Sequence, residues 1–152
     1  MKQLTLLYLI KENQILLAMK KRGFGVGKWN GVGGKQAENE TIEETCVREC
    51  QEEINVKPKN LFRVGILNFY YNDQKNIDQK AFVYITKDWE GKPSESEEMA
   101  PRWFQIDEIP YQDMWQSDIH WLPLVLKGHY VEGDFWFDAN DRFLKYKLRK
   151  NK

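Results

Sequence analysis

Cysteine is scarce: the 152-residue chain has two, Cys46 and Cys50, four apart and without a CxxC pair. That argues against a disulfide framework and a zinc site, and it favours a reducing, cytoplasmic compartment. Both cysteines read as small buried groups on one helix face. Net charge is absent too, since 23 Lys and Arg balance 23 Asp and Glu. A nucleic-acid polymer would need a broad basic face, so none is expected as a partner; a local basic pocket for a small phosphorylated ligand is still allowed. Long apolar runs are missing. The opening MKQLTLLYLI is too short to span a membrane, and no small-residue cleavage site follows it, so it reads as a strand. Internal repeats, linkers and low-complexity tracts are missing as well. What remains is 41% hydrophobic and 30% charged, which suits one globular domain over 1–152, expected to be a monomer.

Residues 4–10 and 15–19 are apolar runs around the polar Lys11-Glu12-Asn13-Gln14, a hairpin pattern. Then comes KKRGFGVGKWNGVGGK, whose closely spaced glycines mark a loop that bends sharply or approaches something closely. A helix is expected over 41–54, capped by Thr41 or Asn39, with Glu43 and Glu44 in its first turn and Pro58 just past its end. Segments 61–71 and 81–86 are rich in β-branched and aromatic residues and read as strands. Residues 90–101 read as a loop, 102–106 as a short strand and 121–127 as a packed helix. The alternation over 130–137 and 143–148 predicts a final hairpin. The sum is one α+β domain with a mixed sheet and two main helices.

The helix over 41–54 is crowded with carboxylates. At about 100° per residue, Ile42, Cys46, Val47, Cys50 and Ile54 form an apolar stripe, and Glu49, Glu52 and Glu53 form a stripe beside it. On periodicity alone, glutamates that simply face water are the plainer reading. The glycine-rich loop before them changes the balance. A glycine turn feeding a carboxylate helix brings backbone and divalent cations together around polyphosphate. Arg48 is expected on the far side of the stripe, pairing with one carboxylate to hold it in place.

This segment resembles the Nudix box: Gly, five residues, Glu, seven residues, Arg-Glu, an apolar residue, any residue, Glu-Glu, any residue, Gly, an apolar residue. The matching positions are Gly34, Glu40, Arg48-Glu49, Cys50, Glu52-Glu53, Asn55 and Val56. Cys50 stands for an aliphatic residue and Asn55 for the terminal glycine, where asparagine best tolerates a left-handed conformation. Nearly the whole chain is similar to the MutT-like, oxidised purine nucleoside triphosphatase branch, the 8-oxo-dGTP diphosphatases, through MKKRGFGVGKWNGVGGK, SEEMAPRWFQIDEIP and DMW. The resemblance implies a Nudix α/β/α sandwich and hydrolysis of a nucleoside triphosphate to monophosphate and pyrophosphate, with Mg²⁺ or Mn²⁺ as cofactor. Such an enzyme sanitises the nucleotide pool, a form of DNA repair.

By the same resemblance Glu49, Glu52 and Glu53 bind metal, with Glu98 as a further ligand, and Glu53 or Glu98 deprotonates water. By itself Glu98 would read as part of a charged loop. Gly33 and Gly34 let backbone approach the phosphates, and Lys20 either contacts phosphate or is an exposed lysine at a strand end. Phe24, Phe69, Tyr71, Met99 and Trp115 are candidates for the walls of a base slot, with Phe24 and Trp115 foremost. Asn30 offers a donor and an acceptor to a purine edge, with Thr5 a weaker candidate. After Trp115 the branch has two consecutive aspartates, whereas this chain has Gln116-Ser117-Asp118. The expectation is that Asp118 accepts from a guanine-type edge and the Ser117 hydroxyl donates to its carbonyl. Two other readings stay open: a Nudix hydrolase of dinucleoside polyphosphates or RNA 5′ caps, and a catalytically silent nucleotide-binding module.

Overall fold

The computed structural model describes residues 1–72 and 77–151. Strands β1 (Lys2–Lys11) and β2 (Gln14–Lys20) form the expected hairpin. They are followed by β3 (Trp29–Asn30), α1 (Ile42–Ile54), β4 (Lys57–Lys59), β5 (Phe62–Tyr71), β6 (Gln79–Thr86), β7 (Asp88–Glu90), β8 (Met99–Gln105), α2 (Asp118–Leu126), β9 (Tyr130–Phe137) and β10 (Phe143–Asn151). The main sheet is mixed, ordered β10-β9-β5-β6-β1-β2-β3, with β8 on the other edge of β2. Its parallel pairs are β1 with β6 and β5 with β9.

The alternation along β1 divides the core. Leu7 and Leu9 pack with Cys46, Cys50 and Ile54 of α1, while Tyr8 and Ile10 pack with Trp121, Leu122 and Val125 of α2. The two helices therefore cover opposite faces, which is the α/β/α arrangement expected. Thr41 caps α1 in a capping box with Glu44, and Asn55 closes it at φ 62.

Three readings need correction. The strand expected at 102–106 begins at Met99, because Met99, Ala100 and Pro101 pair with Lys20, Met19 and Ala18. The small sheet β4–β7 was not foreseen, as three-residue strands leave little periodicity to read. The helix placed at 121–127 starts at Asp118 and tolerates Pro123 within it.

Candidate functional site

Residues 31–36 run antiparallel to β1, with bridges Leu4 to Lys35 and Leu7 to Val32. This lays Gly33 and Gly34 against Thr5, whose amide donates to the Gly34 carbonyl at 3.0 Å. The approach is too close for a side chain. A Cβ on Gly33 would lie 1.8 Å from the Thr5 carbonyl oxygen, and one on Gly34 would lie 2.3 Å from the Glu49 carboxylate carbon.

Helix α1 then presents its carboxylates to this turn. The Gly33 amide donates to Glu53 Oε1 at 2.9 Å. Glu53 is buried, and burial raises its pKa to about 7; Glu49 and Glu98 add to the rise, while Gly33 and Lys20 oppose it. Arg48 does not sit on the far side of the stripe but among its members. It donates to Glu40 at 2.8 and 2.9 Å, to Glu49 at 2.9 Å and to Glu52 at 3.2 Å. Arg48, then the Thr45 hydroxyl and the Ala37 amide, hold Glu40 down at about 2. Glu98 lies apart, in the turn before β8, where Arg22 binds it at 2.5 and 3.0 Å and lowers its pKa. Among the described residues no three acidic, His or Cys side chains stand ready as one metal-holding group; Arg48 is the common partner of Glu40, Glu49 and Glu52. The donor set nevertheless suits a hard divalent cation: all oxygen, with the buried Glu53 carboxylate met by a single backbone amide.

From Glu53 a cavity of about 420 Å³ extends between the glycine loops and the sheet. Thr5, Lys20, Phe24, Asn30, Gly33, Gly34, Phe69, Tyr71, Met99, Trp115 and Asp118, all candidates from the sequence, line it. Phe24 and Trp115 stack on each other, centroids 5.0 Å apart, so they make one wall rather than two facing walls. Asp118 is only 3% exposed, and burial raises its pKa to about 7. Its Oδ1 accepts from Trp121 Nε1 at 3.1 Å, and its Oδ2 has no partner among the described residues.

Ser117 departs from expectation. It is fully buried with an unpartnered Oγ, and it is not among the residues lining the cavity. Standing one residue before α2, it places the next residue, Asp118, toward the cavity rather than itself. Sequence reasoning passed over Trp121, which holds Asp118, and Lys28, whose Nζ lies 5.2 Å over the Trp115 ring. It also passed over Tyr8, whose hydroxyl donates to Asn30 Oδ1 at 3.3 Å. Tyr8 carried a readable signal, since a phenol inside the apolar run LLYLI needs a partner for its hydroxyl.

A sheet between two helices, with a carboxylate helix beneath a glycine turn and an apolar-walled cavity beyond it, is an arrangement suited to holding a phosphorylated ligand beside a divalent cation. The chain belongs to the Nudix family, whose domain model matches residues 2–125. It is 41% identical to the oxidized purine nucleoside triphosphate hydrolase of Mus musculus over 146 residues, 96% of this chain and 93% of that one. The protein of the same name from Danio rerio is 41% identical over 147 residues, 97% and 94% of the two chains. Among solved structures, the mutator MutT protein of Bacillus halodurans superposes with a TM-score of 0.86 at 28% identity, covering 97% of both chains. Nudix hydrolases use divalent cations.

Proposed function

We propose that this protein hydrolyses oxidised purine nucleoside triphosphates, 8-oxo-dGTP foremost, to the monophosphate and pyrophosphate. The observation that carries the reading is Asp118, a buried carboxyl with one oxygen unclaimed, lining an aromatic-walled cavity that also reaches Glu53. The relatives named as oxidised purine triphosphate hydrolases support it. A guanine-type edge carries two N–H donors beside a carbonyl. Asp118 accepts from the donors, and the carbonyl finds a donor in Asn30 Nδ2, free of partners among the described residues, while Oδ1 is engaged by Gly31 and Tyr8. Asn30 thus takes the role first given to Ser117. Phe24 and Trp115 stack along the base, and Lys20 meets the phosphates.

Hydrolysis adds one water across a P–O–P bridge: a P–O bond forms to the water oxygen, the bridging P–O bond breaks, and the water proton passes to a carboxylate. Glu53 takes that proton at Oε2, the oxygen that Gly33 leaves free. Glu49 and Glu52, with Glu53 and Glu98, would hold Mg²⁺, or Mn²⁺ in its place, through their carboxylate oxygens. The bound cation supplies charge neutralisation of the phosphate oxygens. Arg48 holds Glu40, Glu49 and Glu52 in register. We propose further that the protein acts as a monomer in the cytoplasm; among the described residues no helix is long and apolar enough to cross a membrane.

Pyrophosphate release from a nucleotide panel with and without Mg²⁺ tests the reading. Preferential turnover of 8-oxo-dGTP supports it. Turnover confined to dinucleoside polyphosphates or capped RNA, or no turnover at all, overturns it.

A further inference from the structure

Asn30 is the residue whose chemistry is least determined by its identity. Its amide offers an acceptor on one side and donors on the other, and a half-turn about the last bond exchanges them. Whatever fixes that amide fixes what Asn30 can read.

Two donors converge on Asn30 Oδ1. The Gly31 amide donates at 2.8 Å and the Tyr8 hydroxyl at 3.3 Å. A carbonyl oxygen has two lone pairs, so these donors fill its capacity. The Gly31 N–H forbids the flipped amide, which would set donor against donor. The Tyr8 hydroxyl adds a second restriction, because it leaves Oδ1 no lone pair for a ligand. The remaining free group is Nδ2, a donor.

The placement of Tyr8 is closely determined. It is fully buried on β1 and does not itself line the cavity. Its ring lies edge-on to Trp121 at 6.0 Å, and its head abuts Gly31, where an added Cβ would lie 2.8 Å from the phenol Cζ. Burial, and then the charge of Asp118, push its pKa well above the ordinary phenol value, so the hydroxyl keeps its proton.

We propose that Tyr8 is a specificity-determining positioning residue: by filling the second lone pair of Asn30 Oδ1, it makes Asn30 a donor-only reader of the base. A base with a carbonyl facing Asn30 is then favoured over one presenting an amino group there. This rests on the assignment of the cavity to a purine base, and it accounts for base selection without the second aspartate expected after Trp115.

Tyr8→Phe removes the hydroxyl and keeps the ring. The ratio of kcat/KM for 8-oxo-dGTP over 2-oxo-dATP should fall about five-fold, the worth of one neutral hydrogen bond, with the change in KM rather than kcat. In an Asn30→Ala background the same substitution should leave the ratio unmoved, which a merely structural role would not produce. Tyr8→Leu also removes the hydroxyl and serves if the phenylalanine variant folds poorly. The ¹H–¹⁵N resonances of the Asn30 side-chain amide, recorded without substrate, should shift when the hydroxyl is lost. Unshifted resonances overturn the contact, and an unshifted ratio in an active enzyme overturns its role while the proposed function stands. If the wild type hydrolyses neither nucleotide, the proposed function fails, and the resonances still decide whether Tyr8 holds Asn30.

Discussion

Glu40 and Asp118 are carboxylates at opposite ends of one site, and they are held in opposite ways. Arg48, Thr45 and Ala37 surround Glu40 with donors and keep it ionised down to about 2. Asp118 has one donor in Trp121 and an empty oxygen, and burial raises it to about 7. The helix end is a network of ion pairs drawn from one stretch of chain. The far end is assembled from β1, β3, the turn before α2 and α2 itself, with its hydrogen-bonding capacity left open. On the proposed function the helix end meets the phosphate chain, which looks alike on every nucleotide, so that end of the site can be finished in advance. The base differs between nucleotides, and unsatisfied buried groups are what tell bases apart, because a wrong partner leaves them unpaired.

The sharpest test of the helix end is Glu53→Gln, which keeps the shape and removes the proposed base. Turnover should fall by about 10²-fold or more with the fold retained, and a near-wild-type kcat in Mg²⁺ would remove Glu53 from the mechanism. At the far end, Asp118→Asn should lower kcat/KM for 8-oxo-dGTP by about ten-fold or more, mainly through KM.

The same variant carries a pH signature. Because the folded pKa of Asp118 lies above its ordinary value, folding favours the protonated form, and stability falls as pH rises from the ordinary carboxylate range through about 7. Lys28 faces the group, as do the phenols of Tyr8, Tyr71 and Tyr111, all raised by burial and by Asp118 itself. Those phenols do not titrate in that window. The Tm of Asp118→Asn should therefore gain on wild type between pH 5 and pH 8, and a constant gap would contradict the burial argument.

Arg48→Ala should lower Tm by about 3–6 °C and reduce kcat, since three carboxylates lose their common partner. The smallest effect belongs to Ser117→Ala. An unpartnered buried hydroxyl contributes nothing that alanine lacks, so stability should hold or rise by up to about 1 kcal/mol, with base preference unchanged. A changed nucleotide ratio would return Ser117 to the base site.

The helix end was the part open to reading from sequence. Glycine turn, capping threonine, carboxylate spacing and arginine all lie within 33–56, where helical geometry converts spacing directly into position. Even there the side of the stripe that Arg48 occupies escaped, because its main partner, Glu40, lies before the helix. At the far end the candidates Asn30, Trp115 and Asp118 were named, but their supports were not. Tyr8 and Trp121 act through contacts 22 and 3 residues distant, and only the stacking of β1 against α2 brings the two rings together. Ser117 misled because one residue of rotation at a helix start separates a side chain that lines a cavity from one that does not.

Asn55 sits where the box usually ends in glycine. Its Nδ2 donates to the Ser94 hydroxyl at 2.8 Å, the Ser94 amide donates to the Ile54 carbonyl at 3.0 Å, and the Ser96 hydroxyl donates to the Glu53 carbonyl at 2.7 Å. Glycine would allow the same backbone turn but would lose the side-chain bond to Ser94, leaving the two links to the Ile54 and Glu53 carbonyls. With asparagine the end of α1 and the segment leading to Glu98 are stitched into one cooperative unit of local opening. In hydrogen exchange the two stretches should lose protection together, so Glu53 and Glu98 stay at a fixed spacing or part only when both segments come loose.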